Sequence, residues 1–168
     1  MSPVPGGVVV IGIGNVVCSD DGLGVHAVRR LRESRRNTDH VELVEGGTAG
    51  LLLLPHLAGA RRAIIVDAID TRAAPGTLIR LDALHWAEAF AGGLSPHDVG
   101  LRDLLGAARF SGAWPQELVL YGIQPCSTAI GTELSAPVAA TLDALLDRIA
   151  AQLAAWTDER PPARAGSA

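Results

Sequence analysis

Three side chains, Asp21, Asp67 and His97, have the types and positions to do chemistry together. Asp21 is the second of two adjacent carboxylates, Asp20-Asp21, that follow the apolar run Val8-Val9-Val10-Ile11 and the turn Gly12-Ile13-Gly14-Asn15. Asp67 closes a second apolar run, Ala63-Ile64-Ile65-Val66, and His97 sits in the proline-stiffened segment Ser95-Pro96-His97-Asp98. Two carboxylates and one imidazole suit a borderline divalent cation such as zinc or nickel, with positions left open for water or substrate. Carboxylates about 4 Å apart at an effective dielectric near 20 repel by roughly 4 kcal/mol, so their convergence calls for a shared proton or a bound cation. The histidine, a stronger ligand than an aspartic acid is a proton donor, favours the cation. Each residue also has a plainer reading: a helix cap for either member of Asp20-Asp21, an Asx-turn for Asp67, a surface loop for His97.

The elements that must position these residues follow from hydrophobic periodicity. Val8 to Ile13 reads as a strand, and Leu23, Ala27, Val28 and Leu31 mark one face of a helix from about Gly22 to Arg35, with His26 and Arg29 on its polar side. Asp20 is expected to cap that helix. Val41–Glu45 is a short strand stopped by Gly46-Gly47-Thr48-Ala49-Gly50, a loop open enough for a ligand or peptide to approach its backbone. Leu51 to Leu54 with Leu57 reads as a short buried helix, and Ala63–Ala68 as a third strand. The connection from Asp70 to Pro75 is too short for a crossover helix, so the strand Gly76–Leu81 is expected to run antiparallel at a sheet edge. A weak helical pattern spans Asp82 to Gly93, a helix Val99 to Phe110, and a strand Leu118 to Gln124. In the last helix Ser135 is the expected cap, Pro137 lies in the first turn, and Val138, Leu142, Leu145, Ile149, Leu153 and Trp156 share a face. In such open α/β sheets ligands bind outside the carboxyl ends of the strands, where Asp21 and Asp67 both fall.

The 168 residues suffice for a single domain, residues 1–156, that folds without a metal clip or disulfide; residues 157–168, rich in Pro, Arg and small side chains, are expected to be disordered. The net charge of −4, with no basic block, argues against nucleic-acid binding. No apolar run reaches membrane-span length. Cys18 and Cys126 are too few for a disulfide framework and form no CxxC pair, so the chain reads as cytoplasmic. Gly12-Ile13-Gly14 resembles the start of a dinucleotide fingerprint, but Val17 stands where the third glycine belongs, which argues against a small oxidoreductase.

With these residues in view, the chain resembles the nickel-iron hydrogenase maturation endopeptidases. The resemblance rests on Gly12-Ile13-Gly14-Asn15 with Asp20-Asp21-Gly22-Leu23-Gly24, on Glu45-Gly46-Gly47-Thr48-Ala49-Gly50, and on Ile64-Ile65-Val66-Asp67-Ala68. It continues through Pro75-Gly76-Thr77, Ser95-Pro96-His97 and Gly122-Ile123-Gln124-Pro125, so that order and spacing fit from about Val8 to Trp156. It implies a three-layer α/β sandwich: a mostly parallel five-stranded twisted sheet with one antiparallel edge strand and helices on both faces. It also implies a protease that removes a C-terminal extension from the hydrogenase large-subunit precursor after the nickel-iron centre is assembled.

The family's metal-binding positions carry over to Asp21, Asp67 and His97, with Asp21 and Asp67 as the catalytic carboxylates, and its cleft loop to Gly46, Gly47 and Thr48. The first metal position is Glu in some members, and the shorter Asp21 would draw a metal towards the helix start. Nickel is expected to arrive on the precursor, with zinc or cadmium able to stand in for it in vitro. A carboxylate acting as general base and a metal-bound water both remain open, as does an aspartic-type site in which Asp21 and Asp67 share a proton. A non-cleaving nickel-binding assembly factor would use the same three residues. Cys18 and the segment Cys126 to Glu133 match no functional motif.

Overall fold

The computed structural model describes residues 7–34, 36, 38, 40–82 and 96–158, the side chains of 96–99 and 158 excepted. Five strands form one sheet: β1 (Gly7–Ile13), β2 (Val41–Gly47), β3 (Ala60–Ala68), β4 (Leu78–Asp82) and β5 (Glu117–Ile123), in the order β2-β1-β3-β5-β4. β1 lies parallel to β2 and β3, and β3 parallel to β5, with Val10 opposite Leu43 and Ile64, and Val66 opposite Tyr121. β4 runs antiparallel to β5 at the edge, Leu78 opposite Ile123, as its short connection requires.

Successive residues of each buried strand serve opposite faces. Val10, Ile64, Val66, Val119, Tyr121 and Ile123 meet α1 (Leu23–Ser34) and the C-terminal helix α4 (Ala136–Asp158). Val9, Ile11, Ile65, Leu118 and Leu120 meet α2 (Leu54–Gly59) and α3 (Pro96–Ser111) on the other side. The result is the three-layer arrangement. At its base Arg62, buried within β3, donates to Glu117 at 2.6 Å and to the Trp156 carbonyl at 2.7 Å, while the Trp156 indole donates to Glu117 at 2.9 Å. That network ties the end of α4 to two strands.

Three expectations shift. The leucine run is not buried throughout: it divides into a 3-10 turn, Gly50–Leu53, and α2, so that Leu53 and Leu57 enter the core while Leu51 and Leu52 are 54% and 79% exposed. Four consecutive side chains cannot share one helical face. α3 begins at Pro96 rather than Val99, the proline taking the first-turn position where its missing N–H costs nothing, so His97 belongs to the helix and not to a preceding turn. α4 continues through Thr157 and Asp158, two residues into the expected tail. The weak helix expected over 82–93 falls, beyond Asp82, outside the described residues, as do 159–168.

The start of α1 is pressed onto the sheet at two glycines. A Cβ on Gly24 would lie 2.2 Å from the Val66 carbonyl oxygen and 2.3 Å from that of Ile13; one on Gly12 would lie 2.0 Å from the Gly24 oxygen. All of these neighbours are backbone. Gly24→Ala is therefore expected to lower unfolding stability by about 3 kcal/mol in urea titrations. A loss below about 1 kcal/mol would mean that the helix can lift off the sheet at no great cost.

Candidate functional site

The close seating of α1 draws the preceding 3-10 turn, Ser19–Gly22, over the ends of β1 and β3. Asp21 is 3% exposed, and its Oδ2 accepts the Asn15 backbone N–H at 2.7 Å. Asp67 is 2% exposed at the end of β3, where its Oδ1 accepts the N–H of Ala68 at 2.8 Å. Both residues converge on Gly14: a Cβ there would meet the Asp21 carbonyl oxygen at 1.7 Å and Asp67 Oδ1 at 3.6 Å. Gly14 also has φ of +120°, a conformation that strains any side chain. The glycines that resembled a nucleotide fingerprint thus have another use: Gly12 admits the helix, and Gly14 admits the two aspartates.

Asp20 does not cap α1. It is fully buried and points the other way, into the loop that follows β5. Its Oδ2 accepts the N–H groups of Cys126 at 2.8 Å and Ser127 at 2.9 Å and the hydroxyl of Ser135 at 2.7 Å; its Oδ1 accepts the Ser135 N–H at 2.7 Å. Burial alone would push this carboxyl up, but the hydrogen bonds from Ser127, Ser135 and Cys126 outweigh it and hold the group below its ordinary 3.8. Cys126 contributes its backbone, and its thiol is exposed and free.

The glycine loop closes the other side. Gly47, at φ of +52°, accepts the Gly14 N–H on its carbonyl at 3.0 Å. Gly47 and Thr48 line a cleft with Ile13, Gly14, Gly50, Gly100 and Leu101, about 390 Å³ of space open to solvent. Gly46 lies beneath it, buried against Ile11 and Leu53. Of the three loop residues expected at a cleft, two line it and one supports it. A Cβ on Gly100 would stand 3.8 Å from the Gly50 Cα, so α3 approaches the loop one turn after His97. The backbone thus brings His97 to the same end of the sheet as Asp21 and Asp67; its side chain lies outside the described residues. Among the described residues no group of three His, Cys, Asp or Glu side chains could hold a metal ion.

Other polar residues prove structural. Glu45 is held below its ordinary 4.5 by hydrogen bonds from Arg32 and Arg29, which fasten α1 to the end of β2. The side chain of His26 is half-buried, and its Nε2 is sealed from solvent without a hydrogen-bond partner, the ring folded back beside Gly22. Gln124, 6% exposed, was not singled out from sequence. Its Oε1 accepts the N–H groups of Thr71 at 2.8 Å and Ala73 at 3.2 Å, and its Nε2 donates to Asp70 at 3.0 Å, so it organises the connection between β3 and β4. A polar residue closing a buried strand, as Asp67 does, was the available signal. Gln124→Ala is expected to cost about 2–3 kcal/mol in urea titrations by orphaning those donors; a loss under about 0.5 kcal/mol would show that the connection holds itself.

A mostly parallel sheet with buried Asp67 at the end of β3 and buried Asp21 in the turn that follows β1, both beside Gly14 of a glycine-walled cleft, defines an α/β enzyme with its site at the strand ends. The model of the family described as hydrogenase maturation protease matches residues 25–152, and the chain belongs to that family. The hydrogenase 2 maturation protease of Escherichia coli K12 is 37% identical over 147 residues, spanning 87% of this chain and 90% of that protein. The hydrogenase expression/formation protein HoxM of Azotobacter vinelandii is 40% identical over 166 residues, 96% of this chain and 78% of that one. The structure of the E. coli hydrogenase maturating endopeptidase HybD superposes with a TM-score of 0.80 at 35% identity, covering 89% of this chain and 93% of that one. No helix among the described residues is long and apolar enough to cross a membrane.

Proposed function

We propose that this peptidase removes the C-terminal extension of a nickel-iron hydrogenase large-subunit precursor after nickel insertion, and that the nickel belongs to the substrate. The observation that carries this reading is two buried aspartates at the wall of the cleft: the Asp67 carboxylate lies beside Gly14, and the Asp21 carboxylate accepts the N–H of the next residue, Asn15. Two negative groups in such a place favour an approaching cation. Asp21, oriented by Asn15 N–H, and Asp67, oriented by Ala68 N–H, would receive the precursor's nickel together with His97 from the first turn of α3. Zinc or cadmium would fit the same oxygen and nitrogen donors. Gly14, Gly47, Gly50 and Gly100 expose backbone along the cleft, which suits a peptide main chain laid against it. One of the two aspartates would then take the proton of the attacking water as general base.

Relatives named as maturation proteases favour cutting over a factor that only binds. The test is cleavage of nickel-loaded precursor by enzyme stripped with a chelator and then freed of it. Release of one C-terminal peptide by stripped enzyme is expected. A requirement for metal added back to the enzyme would contradict a substrate-borne metal, and efficient cleavage of a metal-free precursor would move the assignment to a proton-sharing aspartic site.

A further inference from the structure

We propose that Val17 and Ile130 form an apolar docking knob that seats the folded body of the protein substrate beside the cleft. This rests on the protease reading for the identity of that substrate. Ile130 is 95% exposed and Val17 51% exposed. Neither is a loose loop side chain. Cys18 and Gly131 form a parallel bridge, in which Gly131 N–H donates to the Val17 carbonyl at 3.0 Å and Ser19 N–H to the Gly131 carbonyl at 2.8 Å. These two bonds hold the Val17–Ser19 backbone against Gly131, so the exposed side chains of Val17 and Ile130 belong to neighbouring segments of one surface. The Ser19 hydroxyl adds a bond to the Ala129 carbonyl at 3.0 Å, and Asp20 anchors both ends of the loop at Cys126, Ser127 and Ser135. An apolar pair held this firmly loses little freedom on binding, which is what an interface anchor needs.

Position and shape identify the occupant. The described residues include five large exposed hydrophobics, and four of them, Val17, Leu51, Leu52 and Ile130, follow the carboxyl ends of β1, β2 and β5. The order β2-β1-β3-β5 places Asp21 and Asp67 between the leucine pair and Ile130. Only Phe110, 96% exposed at the far end of α3, lies away from this rim. The cleft is concave and suits an extended segment, whereas Ile130 protrudes. A protruding isoleucine needs an apolar socket, which a short extended peptide cannot build and a folded domain can.

The test compares wild-type chain with Ile130→Asp, Val17→Asp and Phe110→Asp. Equilibrium binding is measured on nickel-free precursor, cleavage kinetics on nickel-loaded precursor, and the oligomeric state by sedimentation. All three positions are exposed, so circular dichroism and Tm should match wild type. Ile130→Asp and Val17→Asp are expected to weaken binding and raise KM about tenfold with kcat within about twofold, while Phe110→Asp changes neither. Wild-type binding and KM in the Ile130→Asp and Val17→Asp chains would overturn the proposal. So would an equal loss in Phe110→Asp, no measurable binding by wild type, or an Ile130-dependent dimer, which would assign the knob to a second copy. Ile130-dependent binding without any cleavage would uphold the knob and reject the protease reading.

Discussion

Asp67→Asn is expected to lower cleavage of the nickel-loaded precursor about 10²- to 10⁴-fold, in the range of a lost general base, with the fold intact. Asn keeps an oxygen to accept the Ala68 N–H and matches Asp in size, so β3 and the core behind it are undisturbed. What disappears is the charge of the carboxylate that lies beside Gly14 at the wall of the cleft. Removing a charge from a group that is only 2% exposed lowers its burial cost, so Tm should hold or rise by a few degrees while activity collapses. Opposite movement of stability and activity is the signature of a residue kept for chemistry. Near-wild-type cleavage by Asp67→Asn, measured by intact mass against time, would remove Asp67 from the reaction.

The second large effect falls on stability. Asp20→Asn is expected to cost about 3 kcal/mol at neutral pH, roughly 10 °C in Tm, because an amide cannot accept four hydrogen bonds and points N–H groups at the donors. The loop after β5 would loosen, and with it the turn that carries Asp21. The pH dependence has a definite sign. The folded-state carboxyl lies below its ordinary 3.8, so its stabilisation is fully present above that value and is lost as pH falls through the lower, folded-state value. Wild type and Asp20→Asn should therefore differ by a constant amount from neutrality down to about pH 4 and converge below it. A constant gap continuing into stronger acid would show that charge is not what holds the loop.

Much of this architecture was legible in the sequence because it is local. Apolar runs of strand length, each followed by a glycine turn or a carboxylate, marked the parallel strands, and the short connection, nine residues between β3 and β4 in the structure, left room for only an antiparallel edge. The strand-end rule alone brought Asp21 and Asp67 to one edge. Where sequence reasoning failed, distant partners decided. Asp20 looks like the cap of the helix beside it, yet its hydrogen-bond partners lie 106 to 115 residues away, and nothing in Cys126 to Ser135 advertises them. Leu51 and Leu52 looked like core by composition, but an intervening 3-10 turn spent only Leu53 and Leu57 on the sheet. Gln124 stood only as part of the motif Gly122-Ile123-Gln124-Pro125, because a single buried glutamine has no period to reveal its role. His97 was placed one element too early, since Pro96 reads equally as a turn residue and as the first residue of a helix.

The most direct test of substrate-borne nickel docking on Asp21, Asp67 and His97 is the intact mass of nickel-loaded and nickel-free precursor after incubation with wild type, Asp21→Asn or His97→Ala. Docking predicts loss of a single C-terminal peptide from the nickel-loaded precursor alone, with wild type alone. Equal processing of the nickel-free precursor, or full activity of either variant, would contradict it.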